Sequence, residues 1–170
     1  MKVLARLLVV GLVVMAGVAA AEDDKFMRPS LKALKGVEVV VEPLKAAIEQ
    51  NGLTQTSIQT DVELKLRQVG IPVLSQSERI NAPGAPYLYI DLTMLDIEVQ
   101  KAHGYAYALK VELNQTVRLD RDPSIVCLGS PTWSMHSVGT VDRSNIRQVR
   151  DSIKDHVDRF INAYLSVNPK

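Results

Sequence analysis

"YAYALKVELNQTVRL", residues 105–119, alternates almost without a fault. Tyr105, Tyr107, Leu109, Val111, Leu113, Val117 and Leu119 occupy the odd positions, with Gln115 the one polar interruption. From Lys110 onward the even positions are Lys110, Glu112, Asn114, Thr116 and Arg118. A strand sends successive side chains to opposite faces, so this stretch predicts a long strand with one dry side and one wet side. The functional question is whether the wet side only solvates the protein or is the part it uses.

The flanking sequence repeats the pattern. In "PYLYIDLTM" (86–94), Leu88, Ile90, Leu92 and Met94 share one side, and Tyr87, Tyr89, Asp91 and Thr93 the other. After Met94 the apolar positions slip by one, to Leu95, Ile97 and Val99. That slip predicts either a bulge or the strand's exit from the core. "AHG" (102–104) and "DRDP" (120–123) read as turns. "TWSMHSVGTV" (132–141) then sets Trp133, Met135 and Val141 against Ser134 and His136. Short connections between such strands predict an antiparallel meander with one dry face.

Upstream, "GVEVVVEPL" (36–44) is a β-branched run stopped by Pro43, hence a short, largely buried strand. "KAAIEQNG" (45–52) has room for one helical turn. "GLTQTSIQTDVELKLRQVGIPVL" (52–74) carries a full set of helix signals. Thr54 is an N-cap, Leu53 can staple onto Ile58, and Ile58, Val62, Leu66 and Val69 form one stripe. Gly70 and Pro72 end the helix over 54–69, and "IPVL" (71–74) reads as a second short strand, making 37–74 a β-α-β unit. "SQSERINAPGAP" (75–86) reads as a polar loop, and loops of that length are where function concentrates. The last segment, 144–170, places Ile146, Val149, Ile153, Val157, Phe160, Ile161, Tyr164 and Leu165 at helical intervals. It predicts a helix over 145–167, capped by Ser144 or Asn145 and ended by Asn168-Pro169.

The amino-terminal residues are of a different kind. Lys2 and Arg6 precede an apolar run, Leu7 to Val18, and Ala19-Ala20-Ala21 forms a small-residue cleavage site before Glu22. That is the layout of a secretory signal peptide over residues 1–21. The apolar run is shorter than the ~20 residues a bilayer core requires, so cleavage is expected rather than anchoring. Export to the periplasm follows, with a 22–36 lead-in tethered through Phe26, Leu31 and Leu34 and a single domain over 37–170. Nothing later is long and apolar enough to span a membrane, so no integral segment is expected in the mature chain.

Loss of Lys2 and Arg6 leaves 18 basic against 19 acidic residues, a formal charge of −1. Such a balance gives no electrostatic case for nucleic acid or anionic lipid. The single cysteine, Cys127, has no internal partner and sits among apolar neighbours, as a small buried hydrophobe does.

Catalytic and cofactor signatures are not found. His103, His136 and His156 have no metal-ligand spacing, and there is neither a G-x-S-x-G elbow nor a glycine-rich phosphate loop. Neither an enzyme nor a bound cofactor is expected. The candidate that remains is the wet sheet face, where parity places Tyr87, Tyr89, Asp91, Lys110, Glu112, Asn114, Thr116, Ser134 and His136. Two tyrosines among short polar groups suit a recognition surface, since aromatics are enriched at interfaces. Ordinary cross-strand pairing on a solvated sheet accounts for the same residues. The interaction face expected from this reading is Tyr87, Tyr89, Lys110, Glu112, Asn114, Thr116 and His136.

The order of elements resembles small exported bacterial proteins of unknown function. It runs from the helix ending in "LRQVGIPVLSQSE" through "PYLYIDLTMLDI", the long amphipathic strand and "TWSMHSVG" to a closing helix. More distantly it is similar to the amino-terminal domain of TolB, to the curli-secretion lipoprotein family and to lipoprotein activators of peptidoglycan synthases. The resemblance covers residues 37–167 and rests on pattern; the chain departs from the last two by lacking a lipidated cysteine. It implies a non-enzymatic adaptor whose partner is another cell-envelope protein, and carries over no catalytic residue. A periplasmic small-ligand-binding protein, with a pocket near 75–86, is the alternative. The fold expected is α+β: a two-layer sandwich of an antiparallel or mixed sheet of about five strands, with two main helices on one face.

Overall fold

The computed structural model describes residues 26–99 and 102–169; the signal peptide expected over 1–21 lies outside them. One mixed sheet runs in the order β1 (Glu38–Val41), β2 (Tyr87–Val99), β3 (Ala102–Leu119), β4 (Asp122–Asp142). β1 is parallel to β2, and the other two pairs are antiparallel. Helices α1 (Ala46–Gln50), α2 (Gln55–Gln68), α3 (Gln76–Asn81) and α4 (Val149–Val167) complete the α+β chain. The class is the one expected, with four strands in place of about five.

The missing strand is "IPVL". Only Val73 touches the sheet, in a single parallel bridge to Val37, and the parallel partner of β1 is β2. The slip after Met94 is not a bulge. β2 and β3 stay in one register from Tyr87↔Asn114 to Val99↔Ala102; Leu95, on the wet parity, is 58% exposed, and on the dry parity Asp96 and Glu98 are exposed where the strand leaves the core. Ala102, His103 and Gly104 belong to β3 rather than to a turn. The irregularities lie farther along, between β3 and β4, after Leu113, after Gln115 and after Arg118. There the two strands run on as a ribbon beyond β2, with Leu128 79% exposed and Cys127 only partly buried.

Local chemistry explains the helices. Thr54 accepts a hydrogen bond from the Ser57 N–H (3.2 Å), and Leu53 and Ile58 are both buried. The 75–86 segment is not all loop, because Ser75 and Glu78 form a reciprocal capping box that starts α3. Those Ser75 hydrogen bonds hold the Glu78 carboxyl below its usual range. The carboxy-terminal helix starts later than expected. Asp142 accepts from the Ser144 N–H (2.8 Å) and hydroxyl, a 3-10 segment runs through Arg143–Gln148, and α4 proper begins at Val149.

α2 presents Ile58, Val62 and Leu66 to the dry side, and α4 presents Ile153, Val157, Phe160 and Ile161. The sheet meets them with Leu88, Ile90, Leu109, Val111, Leu113, Trp133 and Met135, all at most 1% exposed. Leu31 is fully buried in the same core, so the lead-in docks, whereas Phe26 stays 79% exposed. No helix among the described residues is long and apolar enough to cross a membrane.

His156 is a polar group inside this core. It is 6% exposed, its Nδ1 lies 2.9 Å from the Ser152 carbonyl, and its buried Nε2 has no partner. Burial holds its pKa below 6.5; Arg159 and His136 act in the same direction, and the Ser152 carbonyl and Asp155 oppose them. The unfolded chain therefore takes up a proton before the folded one does. Stability contributed by neutral His156 is present above about pH 6.5 and is lost as pH falls through the lowered folded value. Thermal midpoints at pH 7.5 and 5 should show this drop in the parent and a smaller one in His156→Leu. Equal drops in both would clear His156 of the effect.

Candidate functional site

Among the described residues, the core and both long helices lie on the dry side of the sheet and leave most of the wet face open. Register assembles its residues into rows across the strands. One row is Glu38, Tyr87, Asn114 and Pro131; the next is Val40, Tyr89, Glu112 and Ser134. The third holds Asp91, Lys110 and His136, with Glu42 extending it past β1, where the Glu42 N–H donates to the Ile90 carbonyl (2.9 Å). The rows beyond are apolar or small except at their end: Thr93, Ala108 and Val138, then Leu95, Ala106 and Thr140, then Ile97 and Gly104 beside the charged Asp142.

Polar groups in the first three rows hold one another in place. Lys110 Nζ stands 3.7 Å from both Asp91 and Glu112, and 5.6 Å from the centre of the Tyr89 ring. His136 Nε2 is 3.5 Å from Glu112. The Tyr89 hydroxyl donates to Glu42 (2.7 Å), and this bond, with partial burial, pushes the phenol above its usual range. Arg79 from α3 pairs with Glu38 and lies 5.1 Å over the Tyr87 ring, and the two tyrosine rings meet edge to face at 6.4 Å. Each ring thus carries a cation and is fixed by a neighbour. Tyr87 also reaches β4, where a Cβ on Gly129 would lie 2.7 Å from its hydroxyl.

Six of the seven residues expected on this face stand together in the first three rows: Tyr87, Tyr89, Lys110, Glu112, Asn114 and His136. Glu112 and Asn114 sit low between their neighbours, 9% and 5% exposed, so they support the surface more than they present it. Thr116 is apart. It lies past a register shift, its N–H bound to the Gly84 carbonyl (2.7 Å). Sequence reading missed Glu38, Glu42 and Arg79. The first two share even parity in "VEVVVEP" (37–43), and Arg79 follows a capping box visible as Ser75 to Glu78.

Against this face, at the β1 edge, lies an open groove of about 350 Å³ walled by Glu38, Val40, Gln76, Arg79, Tyr87 and Tyr89. Among the described residues, no three His, Cys, Asp or Glu side chains converge as a metal site requires.

No known family and no curated protein matches the sequence. Solved structures that overlap with it include two PelC dodecamers from Paraburkholderia phytofirmans, one a point variant in space group C2 and one in P6. Each is 17% identical, covering 84% of this chain and 95% of that one at a TM-score of 0.46. A superposition that partial assigns neither a fold nor an assembly to this chain.

Proposed function

We propose that this protein is an exported, non-enzymatic adaptor of the cell envelope, and that its open sheet face is the surface through which it holds another protein. One observation carries the reading. Among the described residues neither long helix covers the wet face of the sheet, which carries two cation-capped tyrosines and, in rows farther along, Leu95 and Val138, each 58% exposed. Fixed aromatic rings and accessible apolar side chains together are what protein interfaces enrich. The export pattern at residues 1–21 supports a partner in the envelope.

The groove at the β1 edge favours the alternative, a small-ligand binder. Its shape argues less for it, since sites for small molecules usually bury about 70–90% of the ligand and this one is open to solvent.

A photo-crosslinking residue at Thr93, exposed in mid-face, tests the proposal in cells. Changing Tyr87 and Tyr89 together to serine should sharply lower crosslinked product. The cost in stability should stay near that of surface substitutions, about 1 kcal/mol in total. Undiminished capture by a folded double variant would reduce the face to solvation.

A further inference from the structure

We infer that the occupant of the open face is a second copy of this chain, seated sheet to sheet about a two-fold axis parallel to the strands, between β2 and β3. This rests on the reading of that face as an interaction surface and replaces its unidentified partner with a specific one. A C2 interface brings the same patch of both copies together, so the patch must complement itself.

The third row does so. In order across the sheet it reads Glu42, Asp91, Lys110, His136: two carboxylates on the β1–β2 half, an ammonium and an imidazole on the β3–β4 half. The proposed two-fold reverses the row. Glu42 of each copy then faces His136 of the other, and Asp91 faces Lys110, so every carboxylate meets a nitrogen donor. A two-fold perpendicular to the strands and passing over this row would keep its order and set like groups against like.

Size follows the same plan. The axis lays β2 over β3, and the open face of β2 carries the bulk: Tyr87, Tyr89, Leu95 and Ile97. The β3 residues at the same heights are Asn114 and Glu112, which are buried, then Ala106 and Gly104. Large side chains of one copy therefore meet shallow positions of the other, and Leu95 enters the space above Ala106. Two sheets that pack aligned keep their strands within about 30° of each other, which this axis allows.

The area is adequate. Ten residues on each of β2, β3 and β4 and the four of β1, at about 4.8 Å spacing and 3.4 Å rise, give a plane of roughly 550 Å². Two such faces bury about 1,100 Å² together, just above the roughly 1,000 Å² that a specific interface needs.

The test uses light scattering on the purified protein with two single variants, Glu42→Lys and His136→Glu. In one chain these positions lie on the outer strands, about 14 Å apart with β2 and β3 between them, so they cannot compensate each other internally. The parent should run at twice the chain mass. Glu42→Lys sets lysine against His136 at two places, and His136→Glu sets glutamate against Glu42 at two places, so each alone should run as a monomer. Mixed in equal amounts they should regain the dimer, because every facing pair in the mixed species is again opposite in kind. Leu95→Asp, at an exposed position, should also give a folded monomer.

A parent that is monomeric at every concentration overturns the inference. So does a dimer whose mass neither variant changes, or two monomeric variants that stay monomeric when mixed. A monomeric parent that still loses envelope capture on changing Tyr87 and Tyr89 would sink the second copy and keep the adaptor reading. Loss of neither mass nor capture would remove both.

Discussion

Phe160→Ala is expected to lower stability by about 3–5 kcal/mol, enough to unfold much of a domain of ordinary stability. Phe160 is fully buried in α4 and meets the Trp133 ring edge to face, with centroids 5.4 Å apart and planes at 69°. It is where the closing helix grips the edge strand of the sheet. Alanine there removes most of the side chain and leaves a cavity that two rigid elements cannot close. Trp133 loses its aromatic partner as well. Denaturant midpoints measure the effect, and Phe160→Leu, which keeps most of the volume, should cost clearly less. A midpoint unmoved by alanine would mean that α4 does not seat on β4 through this pair.

The second large effect is expected at Gly36, immediately before β1. Its φ is +150°, and a Cβ there would lie 2.7 Å from the Pro72 carbonyl oxygen and 2.9 Å from Leu74 Cδ2. The nearer obstacle is backbone. It cannot swing aside, because the Val37 N–H donates to that same carbonyl (3.0 Å) and the Leu74 N–H donates to the Val37 carbonyl (2.9 Å). Gly36→Ala must therefore break the bridge between residues 37 and 73 or strain it. A cost of about 1–3 kcal/mol is expected, by the usual scale of overpacking. Gly52→Ala is the control for backbone strain: its φ of +90° also disfavours alanine, but an added Cβ would meet only the Arg147 side chain, at an ordinary contact distance of 3.5 Å. If both glycines tolerate alanine equally, the close approach of residues 36 and 72 is not what holds β1 in place.

Much of the fold was legible as local pattern. The alternation in 105–119 located β3 and its dry face, with Tyr105, Leu109, Val111 and Leu113 buried as parity requires. The Thr54 cap, the Leu53 staple and Gly70 marked α2 to within a residue at each end. The apolar stripe from Ile146 to Leu165 predicted α4, though its first turn is drawn into a 3-10 segment by Asp142 rather than capped by Ser144 or Asn145. Each signal is written within a few residues, where side-chain periods of 2 and 3.6 act directly.

What the sequence did not decide is pairing. "IPVL" and "YLYI" are both plausible neighbours for β1 by composition, and the chain chooses β2, from which Val73 is left with one bridge. Parity likewise placed Tyr87, Tyr89, Lys110, Glu112, Asn114 and His136 on one side without saying which of them touch. Only the register sets Asp91 opposite Lys110 and Lys110 opposite His136, and only the fold carries Glu42 and Arg79 to the tyrosines. Register is a choice among contacts distant in sequence, made by whichever alignment buries the whole dry face at once. A strand therefore announces its two faces by itself, but what stands beside each residue on the open face is settled only when all four strands have met.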